Sequence, residues 1–284
     1  MKKIKVNSNF DNKNISDVIF YYYPNLNPNQ LYKAFRKKDI RVNNKKITKD
    51  IKVNKNDEIM IYIVDSILEN EKKIPIVYED DNILVANKPE SMNVVESDET
   101  FTLTKSLKKI YGNSIEPCHR IDRNTKGLVI FAKNDDTLKA MQKIIKNHKI
   151  QKYYLARVSG IFKEKKSIQK AYLFKDSQKS IVYISDIPKI GYREIITEYK
   201  VLSENFNNDT SIVEIILHTG RTHQIRAHLA HIGHPIIGDG KYGNNQINKI
   251  FGKKNQDLYA YKLNFTLYNK DYEIVLPNYK KLFN

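Results

Sequence analysis

The sequence predicts an α+β fold: a large domain around a largely antiparallel mixed sheet with flanking helices, preceded by a small N-terminal α/β domain. Three observations carry this. Strand-type runs dominate from Val77 onward, two helical stretches interrupt them, and residues 66–76, with Glu69, Glu71, Lys72 and Lys73, read as a polar linker between residues 1–65 and 77–284. A chain of 284 residues is long enough for one large core with a small appendage. No internal repeat or low-complexity segment is present.

In the first domain, residues 15–23 are apolar and aromatic, and a turn at Pro24-Asn25-Leu26 follows. Asn27-Pro28-Asn29-Gln30 then starts a helix. Asn27 caps free N–H groups, Pro28 fits the first turn where its missing N–H costs nothing, and Gln30 stands three residues after the cap. Leu31, Ala34 and Phe35 share one helix face, which leaves Lys33, Arg36 and Lys37 to solvent. A strand Ile40–Val42, an Asn43-Asn44 turn and the alternating run Ile59–Val64 complete this part.

In the second domain, strands are expected at Asn82–Ala86, Leu128–Ala132, Tyr153–Val158, Ile195–Leu202, Ser211–His218, Leu258–Leu267 and Tyr272–Val275. One helix is expected from about Asn134 to His148, with Asn134 as cap, Asp135 and Asp136 complementing the positive helix start, and Leu138, Met141 and Ile145 on one face. The other begins near Thr222, turns Ile225, Leu229 and Ile232 inward, and stops at Gly233 before Pro235.

Charge narrows the partners. Lys and Arg number 49 against 32 Asp and Glu, a formal net charge of +17, and residues 1–65 hold 14 basic and 7 acidic residues of these. Such a surface attracts polyanions. An 18-residue apolar run, a signal-peptide core and a basic amphipathic anchor are all lacking, which weighs against a membrane and for a soluble, cytoplasmic protein, expected to be monomeric. Cys118 has no partner for an internal disulfide, consistent with a reducing compartment, and a lone Cys is more often a small buried hydrophobe than a nucleophile.

Chemistry should reside in two charged signatures far apart in the chain. The first is His119-Arg120-Ile121-Asp122-Arg123-Asn124-Thr125-Lys126-Gly127, one carboxylate among three cations, placed before the apolar run Leu128-Val129-Ile130-Phe131-Ala132. That run reads as a strand buried on both faces and therefore rigid, so a carboxylate at its mouth is held in place. An Arg about 4 Å away would contribute roughly 4 kcal/mol at an effective dielectric of 20, before desolvation is subtracted. Such a partner favours the ionised form, hence a nucleophile or base and not an acid. A kinase catalytic loop is excluded, because it needs His-Arg-Asp without the intervening residue and a Gly-rich phosphate loop.

The second signature, Gly220-Arg221-Thr222-His223-Gln224-Ile225-Arg226, suits anions. Gly220 permits close approach, Thr222 at a helix start offers backbone N–H groups, and the two Arg side chains can fork onto oxygens in different directions. His218, His223, His228, His231 and His234 are five of the seven histidines, yet their spacing and the lack of a His-Glu-x-x-His or Cys pair argue against zinc, so no metal is expected.

These segments, with Lys152-Tyr153-Tyr154-Leu155-Ala156-Arg157-Val158-Ser159-Gly160 and Gly233-His234-Pro235-Ile236-Ile237-Gly238-Asp239, resemble the RluA-type pseudouridine synthases in order and spacing. Asn87-Lys88-Pro89 and Leu258-Tyr259-Ala260 extend the resemblance over about residues 75–280. Leu26 through Leu31, Arg41-Val42-Asn43 and Asn56-Asp57-Glu58-Ile59 are similar to the small S-four-type RNA-binding domain, although Asn56 stands where that family usually has Gly. The combination resembles the branch that modifies large-subunit ribosomal RNA.

The resemblance implies specific roles. Asp122 would be the catalytic aspartate, Tyr154 would stack on the target base, Arg226 would pair with Asp122, and Arg120 would help hold the nucleotide out of its helix. RNA contacts are expected from His119, Arg120, Arg123, Arg221, Thr222, His223, Gln224, Lys33, Arg36 and Lys37. Isomerising uridine breaks the bond from ribose to nitrogen, turns the uracil while it stays bound, and joins carbon 5 to the same sugar carbon. That needs one ionised carboxylate, as nucleophile on the anomeric carbon or as base on the neighbouring ribose carbon, and no cofactor. Unstacking the base costs a few kcal/mol, which a stacking aromatic offsets. Three positions depart from the family pattern: Lys126 where Ser is usual, Glu90-Ser91 in place of a Gly-containing turn, and Tyr259 where His is common. The competing reading is a non-catalytic RNA-binding or ribosome-assembly factor, which chemistry alone distinguishes.

Overall fold

The computed structural model describes residues 1–23, 26–63, 74–95 and 102–283. These fall into two compact units, residues 1–63 and 74–283. Pro24-Asn25 of the expected turn and residues 66–73 of the expected linker lie outside the described residues. Ile76, the last residue of that linker, is already in a strand.

The first unit runs β1 (Lys2–Lys5), β2 (Lys13–Asn14), α1 (Ile15–Tyr22), α2 (Pro28–Lys37), β3 (Ile40–Val42), β4 (Lys45–Lys46), β5 (Lys52–Val53) and β6 (Glu58–Ile61). Four strands pair antiparallel in the order β1-β6-β3-β4. The β3–β4 turn places Asn43 and Asn44 at φ 47° and 68°, the left-handed pair that a two-residue hairpin requires and that Asn tolerates. The Asn27 side chain accepts from the Asn29 N–H, as a cap should, and Leu31, Ala34 and Phe35 pack with Ile15, Ile19, Ile59 and Ile61. Lys33, Arg36 and Lys37 stay exposed on the opposite face of α2.

The second unit runs β7 (Ile76–Glu79), β8 (Ile83–Lys88), α3 (Leu103–Tyr111), β9 (Glu116–Pro117), β10 (Lys126–Ala132), α4 (Asp135–Lys146), β11 (Gln151–Ser159), β12 (Lys166–Asp176), β13 (Ile181–Ser185), β14 (Arg193–Asn205), β15 (Thr210–Leu217), α5 (Gln224–His231), α6 (Asn245–Ile250), β16 (Leu258–Leu267) and β17 (Lys270–Val275). Among the described residues an 11-stranded sheet follows the path β13-β12-β14-β15-β11-β16-β10-β8-β7, with β17 beside β16 and β9 beside β10. Every pair is antiparallel except β10 with β16, which gives the largely antiparallel mixed sheet that the sequence predicts. No helix of the described residues is long and apolar enough to cross a membrane.

Leu128–Ala132 in β10 and Ile83–Ala86 in β8 are fully buried, and Met141 of α4 packs on Leu128 and Ile130. Each buried Val, Leu, Ile, Phe or Met side chain there contributes about 1.5–3 kcal/mol, so the centre of the sheet is a rigid platform. Three of its strands meet at one level. Gly127 stands opposite Ala260, and Ala260 stands opposite Tyr154, just where the register of β11 against β16 shifts. Gly127 has φ 114°, and a Cβ there would lie 2.1 Å from the Ala260 carbonyl oxygen, so only Gly lets β10 enter the sheet so close to β16.

Candidate active site

Asp122 sits in the turn that feeds β10, closed by the Thr125 N–H donating to the Asp122 carbonyl at 3.1 Å. Two buried side chains fix this turn from below. Lys88, at the end of β8, donates from Nζ to the carbonyls of Pro89, Met92 and Arg123, each at 2.8 Å. Burial pushes its pKa down to about 7, against the charge of Asp122, and three carbonyl acceptors are matched by the three protons of an ammonium. Gln256 Nε2 donates to Thr125 Oγ1 at 3.0 Å.

From the other end of the sequence, α5 brings Arg226. Its Nη1 donates to Asp122 Oδ2 at 3.0 Å, across 104 residues of chain. The same guanidinium grips Asp239 with two bonds, Nε to Oδ2 at 2.7 Å and Nη2 to Oδ1 at 2.9 Å. Asp239 is shut off from solvent and also accepts the backbone N–H groups of Lys241 and Tyr242. Burial alone would neutralise both members. Mutual hydrogen bonding and charge overcome it, holding the Arg226 pKa above and the Asp239 pKa below their ordinary values. Tyr242 packs its ring 5.2 Å from the guanidinium and ties its hydroxyl to His223 Nδ1 at 2.8 Å. Arg226 is thus clamped by a buried carboxylate and offers its remaining edge to Asp122, whose side chain is 23% exposed. Among the described residues Asp122 Oδ1 accepts no hydrogen bond, which leaves it for a ligand.

A cavity open to solvent lies over this pair. Arg120, Asp122, Lys152, Tyr154, Arg221 and His223 are among its lining. Tyr154 belongs to β11 and is almost wholly buried; burial first, then the charge of Asp122, raise its pKa, so the phenol stays neutral.

The structure brings together Arg120, Asp122, Tyr154, Arg221, His223, Gln224 and Arg226, all of which line the cavity. Two of the residues expected to touch RNA have other tasks. His119 accepts the Ile130 N–H on Nε2 at 3.2 Å, its Nδ1 is hidden from solvent, and burial, reinforced by the charge of Lys152, pushes its pKa down to about 3. A neutral ring that braces β10 does not fit the phosphate-binding role. Gln224 is buried and spends its amide on the Ile196 carbonyl, Thr197 Oγ1, Thr219 Oγ1 and the Arg221 N–H, which fixes the Gly220-Arg221 turn. Nor does α5 start at Thr222. It starts at Gln224, after His223 takes the left-handed conformation at φ 56°, and Thr222 lies exposed beside Phe174 and Arg193. Arg123 is exposed outside the cavity lining, and Lys33, Arg36 and Lys37 belong to the other unit.

The C-terminal histidines each have their own neighbour. His218 pairs with Glu198, His228 with Thr197 and His231 with Asp186, while His234 stacks on Phe162 at 3.6 Å. Burial pushes the Cys118 thiol up to about 12, so it is inert as a nucleophile at neutral pH.

A sequence model of the family described as RNA pseudouridylate synthase matches residues 82–231, more than half of the chain. The chain belongs to this family. A ribosomal large subunit pseudouridine synthase C of Buchnera aphidicola is 30% identical over 267 residues, covering 88% of this chain and 84% of that one. The protein of the same description from Rickettsia bellii is 33% identical over 245 residues, covering 79% and 81%. Human RNA pseudouridylate synthase domain containing 1 shares the fold, with a TM-score of 0.63 at 24% identity over 73% of this chain and 84% of that one.

The synthase is therefore an isomerase of uridine in RNA. Its three departures from the family pattern converge. Lys126 Nζ donates to Tyr259 Oη at 3.0 Å and pairs with Glu90 Oε2 at 3.3 Å, and Ser91 takes the left-handed conformation at φ 60° that Gly would supply. One compensated cluster replaces three separate differences. One residue that sequence reasoning missed is Asp239. Its signal was present, since a buried guanidinium with five N–H donors needs more than one carboxylate, and Asp239 closes the matching segment Gly233–Asp239.

Proposed function

We propose that this synthase isomerises uridines in large-subunit ribosomal RNA, with Asp122 as its one catalytic carboxylate and no cofactor. The observation that supports this best is Asp122 in the lining of a cavity open to solvent, braced by Arg226 through Oδ2 and open at Oδ1. Arg226 orients the carboxylate and Asp239 orients Arg226. Oδ1 then meets the ribose, as nucleophile on the anomeric carbon or as base on its neighbour. Tyr154 supplies a ring for the displaced uracil and, being neutral, does not compete as a base. Arg120 and Arg221, exposed at the rim, suit the flanking phosphates. The relatives named for the ribosomal large subunit support the choice of RNA.

Residues 1–65 act in this reading as an RNA-holding domain through Lys33, Arg36 and Lys37, and residues 77–284 as the catalytic domain. A cytoplasmic monomer suffices, because every residue invoked comes from one chain. The test is carbodiimide-stop mapping of ribosomal RNA from cells with and without the protein, alongside Asp122→Asn. The expected result is one or more missing pseudouridines without the protein, restored by wild type and not by Asp122→Asn, which still binds RNA. Normal modification by Asp122→Asn overturns the assignment; no pseudouridine from the wild type supports the non-catalytic binder.

A further inference from the structure

Lys152 is a charged group with no partner in the cavity. It lies in β11 two residues before Tyr154, so both side chains leave the same face of the strand, and both line the cavity that holds Asp122. Among the described residues its ammonium makes no hydrogen bond or ion pair, although burial is deep enough to lower its pKa. Arg226 has two carboxylates and Lys88 three carbonyls, whereas Lys152 has neither. Its Nζ lies beside Gly220, 3.6 Å from where an added Cβ would stand, which is ordinary contact distance. A half-buried cation without a counter-charge is unfavourable, and it is tolerated where a bound group supplies the negative charge.

We infer that Lys152 is a catalytic residue whose ammonium stabilises the negative charge that uracil carries while it is detached from the ribose. The inference rests on the synthase reading with Asp122 at the sugar. In that reaction the C1′–N1 bond breaks and its electron pair stays with uracil, spread over N1, O2 and O4. C5 then bonds to C1′, the C5 proton is lost to solvent, and N1 gains a proton. Whether the carboxylate attacks C1′ or removes a neighbouring ribose proton, the base departs as an anion. An ammonium on the strand that carries Tyr154, lining the cavity that holds Asp122, is placed to meet that charge.

The experiment compares wild type, Lys152→Met, Lys152→Gln and Lys152→Arg, with Asp122→Asn as the inactive reference. Turnover is read as tritium released from a large-subunit ribosomal RNA transcript containing [5-³H]uridine, with urea unfolding measured in parallel. The expected result is a fall in kcat of about 10²-fold for Met and Gln, the cost of losing one aimed donor, with KM changed less than about 3-fold. Lys152→Arg recovers part of the rate. Unfolding midpoints stay equal to or above wild type, because removing a cation that has no partner relieves the fold, whereas a merely structural lysine would show the reverse. A raised KM with unchanged kcat and a shallower salt dependence would mean that Lys152 grips a backbone phosphate, and would overturn the inference. So would wild-type rates in both neutral variants, or lower stability with kcat intact. Absence of tritium release from the wild type would instead bring down the synthase reading itself.

Discussion

Replacing Asp239 by Asn changes one atom in a site with no solvent, and its consequences can be worked from the geometry. Asn keeps the volume and one oxygen, which can still accept from the backbone of Lys241 and Tyr242. Its amide nitrogen then takes the place of Oδ2 and faces Nε of Arg226, donor against donor, where the wild type has a bond of 2.7 Å. The guanidinium retains Asp122 as its only carboxylate. Breaking a buried pair by neutralising one member costs about 3–5 kcal/mol, because the other charge remains desolvated. The expected loss in urea unfolding of the second unit is of that size, equivalent to roughly 10 °C in Tm. Turnover by the folded fraction should fall about 10²-fold, since Arg226 swings from its seat and Asp122 with it. The double variant Arg226→Met with Asp239→Asn removes both charges and should regain most of the lost stability while remaining inactive. The reasoning fails if Asp239→Asn unfolds within about 1 kcal/mol of wild type, or if the double variant is no more stable than the single one.

Two further outcomes follow from the same platform. Gly127→Ala puts a Cβ 2.1 Å from a backbone oxygen at φ 114°, so soluble folded protein should be lost or destabilised by more than about 3 kcal/mol; a urea midpoint near wild type would show that β10 can shift. His119 and His228 are neutral inside, with pKa values pushed down to about 3 and about 4, so below pH 6.5 the unfolded chain takes up protons first and stability falls as pH drops. At pH 5 each contributes a loss of about 2 kcal/mol relative to pH 7, and His228→Gln should show a correspondingly shallower decline between those pH values.

How much of this was legible in the sequence depended on whether a feature is local. The cap at Asn27, the Asn43-Asn44 turn and the doubly buried run Leu128–Ala132 are decided by neighbours in the chain, and each is where the sequence puts it. β12 was missed because Lys166, Lys170 and Lys175 interrupt the apolar pattern of a strand with one face in solvent. The helix α3 was missed for a similar reason: Leu103 and Leu107 are its only large buried side chains, and four of its nine residues are Lys or Thr.

The site follows the same rule at longer range. Dense charge before an apolar strand located Asp122, and a Gly-Arg signature located Arg226, because both are patterns within a few residues. The division of labour among the surrounding polar groups was not readable, because it is set by which side of the sheet each one meets. His119 and Gln224 look like RNA contacts in sequence, yet the fold consumes their hydrogen bonds internally. Lys88, Asp239 and Lys152 look like ordinary members of their segments, yet all three end beneath or beside one carboxylate. Of these, Lys88 and Asp239 are fully satisfied by the protein and hold the machinery in place. Lys152 alone of the three is left unsatisfied among the described residues, and an unsatisfied, half-buried charge lining the cavity is the mark that separates a group awaiting substrate from one that supports the fold.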